Sequence, residues 1–600
     1  MSKNRKEEPE YHFVATNIDY KINSESKKIL AGNWCLLNSI KKTKNEKNIE
    51  FVPHIWENVD EREKDYIFIQ KILDEYCDKL SLYLNIYNKE NFPVNFWKIL
   101  ILPWLIYYLP SQLYKWRIIN VALNKKKTFS FFSFPDHSIN KYAIDTASYF
   151  NLLQDDEEFN YLHFKRILKY LKNKGHNILF IEKLYYKKKL ENKKKFFPQK
   201  IKNNILKLID DISLFFSKNN DIFIEQDVFG KKNLLKINFQ LKQFPTYLIK
   251  LFNYHMERNE YEKCKFDMEK RIAVSFVKDI KIKENIDFIE YLNSSITEDI
   301  PICFLEGFLN LKNNVEKINI NPKLILSSYQ YMHSEKFKFW VALKTLKNNS
   351  KFIVALHGGG YHAKFEPTFN FENRIVHKRI MWTTPTDKKE IQLPPAKLIN
   401  FKTKRKYKYL SYVEHPAGLF PAQFTHNPFA SMRNIENINK FNLILKKKIL
   451  KNLIYLPGRD YLCSMNEVKN IINSNCIAKH YSLNKYLYKS KLVICSYPET
   501  NFNEAIVTGP TILISRFNDY PIHDQFQKIF NELIKYKIFF SNPEDACLHI
   551  NKVWDNVDEW WYSKEVKNTV NDFIQQVSPI SNNSINIWAK FLKNEIKKNI

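Results

Sequence analysis

Three consecutive glycines constrain this chain more than any other feature. Its 600 residues contain 10 glycines, and Gly358, Gly359 and Gly360 stand together in KFIVALHGGGYH, Lys351 to His362. Lys351 to Leu356 is a short apolar run with β-branched Ile353 and Val354, the pattern of a buried strand. It gives way at His357 to three residues without a Cβ. Such a loop adopts positive φ, admits a ligand close to the backbone and turns N–H groups toward an anion. A tight turn after a core strand is the plainer reading of the same residues.

The flanking segments supply a fold class. LILSSYQ (324–330) reads as a strand. MHSEKFKFWVALKTLKN (332–348) reads as a helix burying Phe337, Trp340, Val341, Leu343 and Leu346. With KFIVAL they make a β-α-β unit, hence a parallel sheet. Ligands bind at the carboxyl ends of such strands, where both His333 and His357 fall. The pattern repeats after the polar stretch Asp387–Lys408. KYLSYVE (408–414) is a strand ending at His415 and Pro416, Asn437–Leu453 a helix pattern, and NLIYLP (452–457) a strand followed by Gly458, Arg459 and Asp460. KLVICSY (491–497) is a strand, PETNFNEA opens a helix with Glu499 and Glu504 in its first turns, and TILIS (511–515) is a strand. The expectation is an α/β protein of two Rossmann-like parallel-sheet domains with extra N-terminal helices, divided as 1–395 and 396–600.

The front of the chain opens with a strand, HFVAT (12–16), and a turn at GNWC (32–35). Glu61 to Asn85 has helical periodicity, and 95–116 reads as one or two buried helices broken at Pro103 and Pro110. Its most apolar part, Ile99–Leu109, is far shorter than the ~20 residues a membrane-spanning helix needs. The region near 155–250 is the least informative. It holds YYKKKLENKKKFFPQK (185–200), a charge run read as solvated surface or an insertion.

The formal charge is +30, from 94 Lys and Arg against 64 Asp and Glu. The excess is nearly all lysine, spread through a chain rich in Asn and Ile and poor in Gly, so it reflects overall residue usage. Nucleic acid is not expected as a partner, since no RNP-like, zinc-finger or helix-turn-helix signature accompanies the charge. Weak attraction to anionic lipid is expected. Eight scattered cysteines without a C-x-x-C pair, several inside apolar runs, point to a reducing compartment. With no signal-like apolar segment in the first residues, the expected location is cytoplasmic, peripheral at most to the inner membrane face.

HGGG also occurs as an oxyanion-hole loop in hydrolases, which need a G-x-S-x-G nucleophile elbow. The only later glycines are Gly418, Gly458 and Gly509, so no elbow can follow. P-loop and G-x-G-x-x-G motifs are absent as well. What remains is binding of phosphate or diphosphate by backbone N–H groups beside an imidazole. Transfer from a diphosphate-linked donor needs neutralisation of the leaving phosphate and a base for the acceptor hydroxyl. His357 is the candidate for base or leaving-phosphate contact, with His333 and His415 as further imidazoles. Gly358, Gly359 and Gly360 are the candidate anion loop. For the donor, Arg459 suits a bidentate phosphate clamp, Glu504 the ribose hydroxyls, and Ser496 and Thr500 further phosphate contacts. Plain structural roles exist for each: Arg459 in a surface ion pair, Thr500 as a helix cap. Nothing in the sequence calls for a metal or a resident cofactor.

GNWC (32–35), NFWKILILPWLIY, HSEKFKFW, ALHGGGYH, YPETNFNEAIVTGPTILI and IKYKIFFSNPEDACLHINKVWDNVDEWWYSKEVKNTVNDF together resemble a family of transferases from bacterial surface-polysaccharide (O-antigen) loci, first noted in leptospires. The resemblance spans nearly the whole chain except the Lys-rich middle. Departures lie at His362, where the family has a glycine, and at WTTP (382–385), where it has tryptophan-glycine. The family is similar in outline to GT-B glycosyltransferases, which hold the donor mainly in their second domain. The resemblance implies a nucleotide-sugar substrate read by YPETNFNEAIVTGPTI, with Glu504 at the ribose, and a glycan or lipid-linked glycan acceptor on the side of residues 1–395. Transfer of a polyol phosphate from a CDP-linked donor, or a non-catalytic nucleotide- or glycan-binding scaffold, are the alternatives.

Overall fold

A computed structural model describes residues 9–21, 26–36, 48–135, 139, 141–185, 199–247, 252–276, 282–366, 368, 370–399, 401, 408–414, 418–425, 428–457, 464–478 and 483–598. Their fifteen strands form three sheets of five, every pairing parallel. The two parallel sheets expected from the β-α-β units are present. An additional one precedes them.

That first sheet holds β1 (Tyr11–Val14), β2 (Lys27–Leu30), β3 (Ile49–Phe51), β4 (Thr128–Ser133) and β5 (Asn177–Glu182) in the order β3-β2-β1-β4-β5. This is the Rossmann order 3-2-1-4-5-6 without its sixth strand, with the switch point between β1 and β4. The second sheet has β6 (Ile222–Ile224), β7 (Leu324–Ser327), β8 (Lys351–Ala355), β9 (Lys378–Met381) and β10 (Glu390–Gln392) in simple succession. The third has β11 (Tyr409–Val413), β12 (Leu453–Leu456), β13 (Ser490–Cys495), β14 (Thr511–Ile514) and β15 (Phe539–Phe540) in the order β12-β11-β13-β14-β15. The strand direction of travel reverses between β11 and β13, and such a switch point opens a crevice at the strand ends.

Two long helices, α1 (Val59–Asn88) and α2 (Val94–Lys125), separate β3 from β4. The side chain of Asn58 caps α1, accepting from the N–H groups of Asp60 and Glu61. The expected break in the second helix does not occur. α2 runs uninterrupted through Pro103 and Pro110 and is buried along nearly its full length. Each internal proline costs about 3 kcal/mol. Burial of Trp97, Leu100, Trp104, Leu105, Leu109 and their neighbours, at roughly 1.5–3 kcal/mol for each large side chain, offsets it. α2 packs on α1 and on the helix that follows β7, so it is a shared core for the first two sheets. Among the described residues no helix is long and apolar enough to cross a membrane.

The region expected to be least regular contains a helix at Glu157–Asn173, then α3 (Gln199–Ser217) and α4 (Gln226–Leu241, kinked at Gly230), and edge strands β5 and β6. α5 (Glu335–Asn348) buries Phe337, Trp340, Val341 and Leu343 as expected, but Leu346 is exposed because it lies beyond the strip facing α2. The pattern expected as one helix over Asn437–Leu453 is a helix Pro428–Ile444, a turn Lys447–Leu450, then β12. α6 (Thr500–Thr508) links β13 to β14. Near the C-terminus α7 (Lys564–Val577) packs on α6, and α8 (Ser584–Lys597) packs on α4. Trp588 and Leu592 of α8 complete the core over one face of the second sheet with Ile224, Leu326 and Ile353. The ammonium of Lys351 donates to the carbonyl of Glu595 at 2.8 Å, tying α8 to β8.

Candidate functional site

The glycine loop leaves β8 and lies against the first turn of α6. The N–H of Gly359 donates to Thr500 Oγ1 at 2.9 Å. A Cβ on Gly358 would stand 2.5 Å from that hydroxyl, and one on Gly359 would stand 1.9 Å from Asn503 Nδ2. Only a chain without side chains fits between the second and third sheets here. Gly360 has φ +118°, in the region that disfavours other residues, and its carbonyl accepts from the Tyr520 hydroxyl at 3.0 Å. Beyond it, His523 donates its N–H to the His362 carbonyl at 2.9 Å and Lys364 donates to Pro521 at 2.8 Å, so two further backbone bonds join the halves. The ring of Tyr361 stacks over the Arg379 guanidinium, which is paired with Glu390 at 3.0 Å.

The loop and the YPETNFNEA motif, far apart in sequence, are therefore one structure. The Gly359 N–H is already engaged by Thr500, and Gly358 and Gly359 face α6. Asn503 is fully buried in this seam, and neither its side-chain nitrogen nor its oxygen meets a hydrogen-bond partner. Leaving a buried amide unmatched costs about 1–3 kcal/mol, and such exceptions concentrate where function requires them.

His357 lies at the mouth of a cavity of about 480 Å³, within the range of small-molecule sites. Ser328, Tyr329 and Lys397 line it with Val228 and Asn233 of α4. His357 is exposed, its surface opening into the cavity. The desolvation it keeps from the cavity walls, reinforced by the Lys397 ammonium and opposed by Glu499, lowers its pKa toward about 4, a shift that solvent in the cavity screens. The imidazole is neutral at pH 7, which suits proton acceptance and leaves Lys397 as the cation of the cavity. Lys397 Nζ is also 3.0 Å from Glu504 Oε1, an ion pair with one half-exposed and one buried member.

Tyr329 packs edge-on to His357, with ring centroids 5.8 Å apart, and against His333 at 4.5 Å. The two histidines expected at strand ends thus flank one tyrosine. Its position is fixed from below by Glu225, at the end of β6. One carboxylate oxygen accepts from the Ser327 hydroxyl and from the N–H groups of Ser328 (2.8 Å), Tyr329 (3.1 Å) and Gln330 (3.2 Å). Burial pushes the pKa of Glu225 up, against those four bonds.

Ser496 sits at the switch point of the third sheet. Its N–H and hydroxyl both donate to the Val413 carbonyl, at 3.2 and 3.0 Å, continuing the β11–β13 pairing one residue past Cys495. It lines a small cavity of about 30 Å³, room for one water, with Arg433, Asn434, Asn437, Arg516 and Asp519. Thr500 and Glu504 project from α6 toward the His357 side. Arg459 and His415 lie outside the described residues.

Sequence reasoning passed over Lys397, Tyr329, Glu225 and Asn503. Lys397 lies in a polar stretch read as a connection, and Glu225 in the region with no readable pattern. Asn503 was within a quoted motif, but only its packing against Gly359 singles it out.

Compared with known protein families, residues 11–592 match the family model described as LIC12162 family transferase. No curated protein matches the chain.

Proposed function

Because the chain belongs to the LIC12162 family of transferases, we propose that it moves a sugar from a nucleotide-sugar donor to a surface-glycan precursor of the O-antigen type, with the frame of a GT-B glycosyltransferase. The observation that carries this reading is the seam in which the HGGG loop of one parallel sheet meets the N-terminus of α6 from another. It sets an imidazole and a lysine in one cavity at strand ends, with the lysine paired to the buried Glu504 carboxylate of α6.

In this reading His357 takes the proton from the acceptor hydroxyl. A general base works best with a pKa near the working pH. The anionic donor phosphates, once beside it, raise its pKa from about 4 toward that range by favouring the imidazolium. Lys397 turns from Glu504 to the diphosphate and neutralises the leaving group, which frees the Glu504 carboxylate to accept ribose hydroxyls. The N–H groups at the start of α6 and the Arg459 guanidinium supply further phosphate contacts. No metal or resident cofactor enters this scheme.

The test is thermal shift against UDP-, GDP-, CDP- and CMP-linked sugars, followed by turnover with the best donor. Stabilisation by one nucleotide class and transfer to a lipid-linked glycan are expected. His357→Ala is expected to bind donor with unchanged affinity and to lose turnover by two to four orders of magnitude, roughly the contribution of a positioned base. Absence of any nucleotide binding removes the proposal, and unchanged turnover in the variant removes His357 from it.

A further inference from the structure

α3 is turned inside out. Asp210, Ser213 and Ser217, spaced three and four residues apart, face the protein and are buried. Ser213 is held there by the N–H of Tyr247, which donates to its hydroxyl at 2.5 Å. The opposite stripe of the helix, Ile205, Leu208, Ile212 and Phe216, is exposed, and Phe215 beside it is 77% exposed. A surface helix ordinarily buries its apolar stripe. This one presents it outward.

The apolar surface continues beyond the helix. Phe216 packs against Phe244 with centroids 5.1 Å apart. Phe244, Leu235 and Phe239 then line a wide, shallow groove on α4 of about 1240 Å³. Phe239 is 85% exposed. Contiguous apolar surface on this scale marks an interaction site.

The rim carries the sign of the partner. Lys207, Lys218, Lys231, Lys232, Lys236 and Lys242 are all exposed around it. Of the nearby exposed carboxylates, Asp221 is paired with Lys323 at 3.0 Å, leaving Asp211 on α3 and Asp227 in the first turn of α4 against six lysines. Aromatic and aliphatic side chains projecting from a lysine rim match a bilayer interface, where rings enter the headgroup boundary and ammonium groups meet anionic lipid. A partner helix would need no such rim.

We propose that the exposed faces of α3 and α4 dock this protein on an anionic lipid bilayer. The proposal stands apart from the transfer reading, since it concerns surface composition alone. Its location bears on that reading nonetheless. Asn233, in the wall of the His357 cavity, and Phe239, in the groove, are six residues apart on α4, about 9 Å along its axis. A headgroup at the membrane surface would lie within reach of the cavity.

The experiment is co-sedimentation of the full chain with phosphatidylcholine vesicles, with and without phosphatidylglycerol. Binding to the anionic vesicles, weakened by added salt, is expected. Phe215→Ser/Phe239→Ser and Lys231→Gln/Lys232→Gln/Lys236→Gln are each expected to reduce it about tenfold or more with an unchanged melting temperature, because every altered side chain is exposed. Three results overturn the proposal: no sedimentation with either vesicle, binding that neither variant reduces, or a wild-type dimer that the aromatic variant dissociates, which assigns the face to a second copy. Nucleotide binding is measured separately on the same variants, so failure of docking and failure of the transfer reading remain distinguishable.

Discussion

Thr500 Oγ1 accepts the Gly359 N–H at 2.9 Å, and this bond joins the ends of β8 and β13 through the first residue of α6. Thr500→Val keeps the shape and removes the acceptor. It is expected to cost about 1–2 kcal/mol in chemical denaturation and to weaken donor binding, while Thr500→Ser restores both. Equal loss in the serine variant would mean that the methyl packing, not the bond, holds the seam.

Asn503 makes the opposite prediction for stability. Its amide is buried without a partner, so Asn503→Ala is expected to raise stability by about 1 kcal/mol and to lower turnover. A destabilised variant with normal turnover would show that the side chain serves packing alone.

Lys397 and Glu504 test the cavity charge. Lys397→Met leaves the buried Glu504 carboxylate without its cation, and is expected to lower the melting temperature and raise donor KM at least about tenfold. The double variant Lys397→Met/Glu504→Gln is expected to recover the melting temperature but not the KM. Recovery of both would remove the pair from donor recognition.

His362 predicts acid sensitivity. The ring is fully buried, with the Pro498 backbone beside it, and packs 5.0 Å from Phe530. Burial lowers its pKa from 6.5 to about 4. As pH falls through that window the unfolded chain takes the proton first, so stability complete above pH 6.5 is lost on the way down to 4. His54 and His163, both lowered to about 4, act in the same direction. Asp19, raised to about 7, and Glu257, raised to about 8, act oppositely and lose their contribution as pH rises through those values. The comparison with His362→Phe isolates one group: the variant is expected to lose less stability than wild type between pH 7 and 4.5, by roughly 2–3 kcal/mol in denaturant titrations. Parallel pH profiles would show that the imidazole is already satisfied in the folded chain.

Strands flanked by strong patterns were legible. β7, β8, β11, β12, β13 and β14 are apolar runs between recognisable helices, and all fall where expected. The first sheet was not legible beyond β1. β2 is KKIL and β3 is IEF, too short and too polar for period-2 reading, and α1 and α2 separate β1 from its neighbour β4. α2 defeated local rules because proline is judged there by lost backbone bonds, while the outcome was set by burial on all sides. At the site, His357 and the glycines announced themselves by rarity. Asn503 and Lys397 acquire their importance from what lies across the seam, and one-dimensional spacing carries no trace of that.

The return of α8 to the second sheet also sets an order of events during synthesis. β6 to β9 leave the ribosome early, yet one face of their sheet stays uncovered by Trp588 and Leu592 until the whole third sheet has been made. The middle of the molecule is therefore the last part to become watertight. A nascent chain halted after β15 would leave Ile224, Leu326 and Ile353 covered only by α4 side chains such as Leu234 and Ile237, so loss of α8 would harm the second sheet more than its nearest neighbour in sequence.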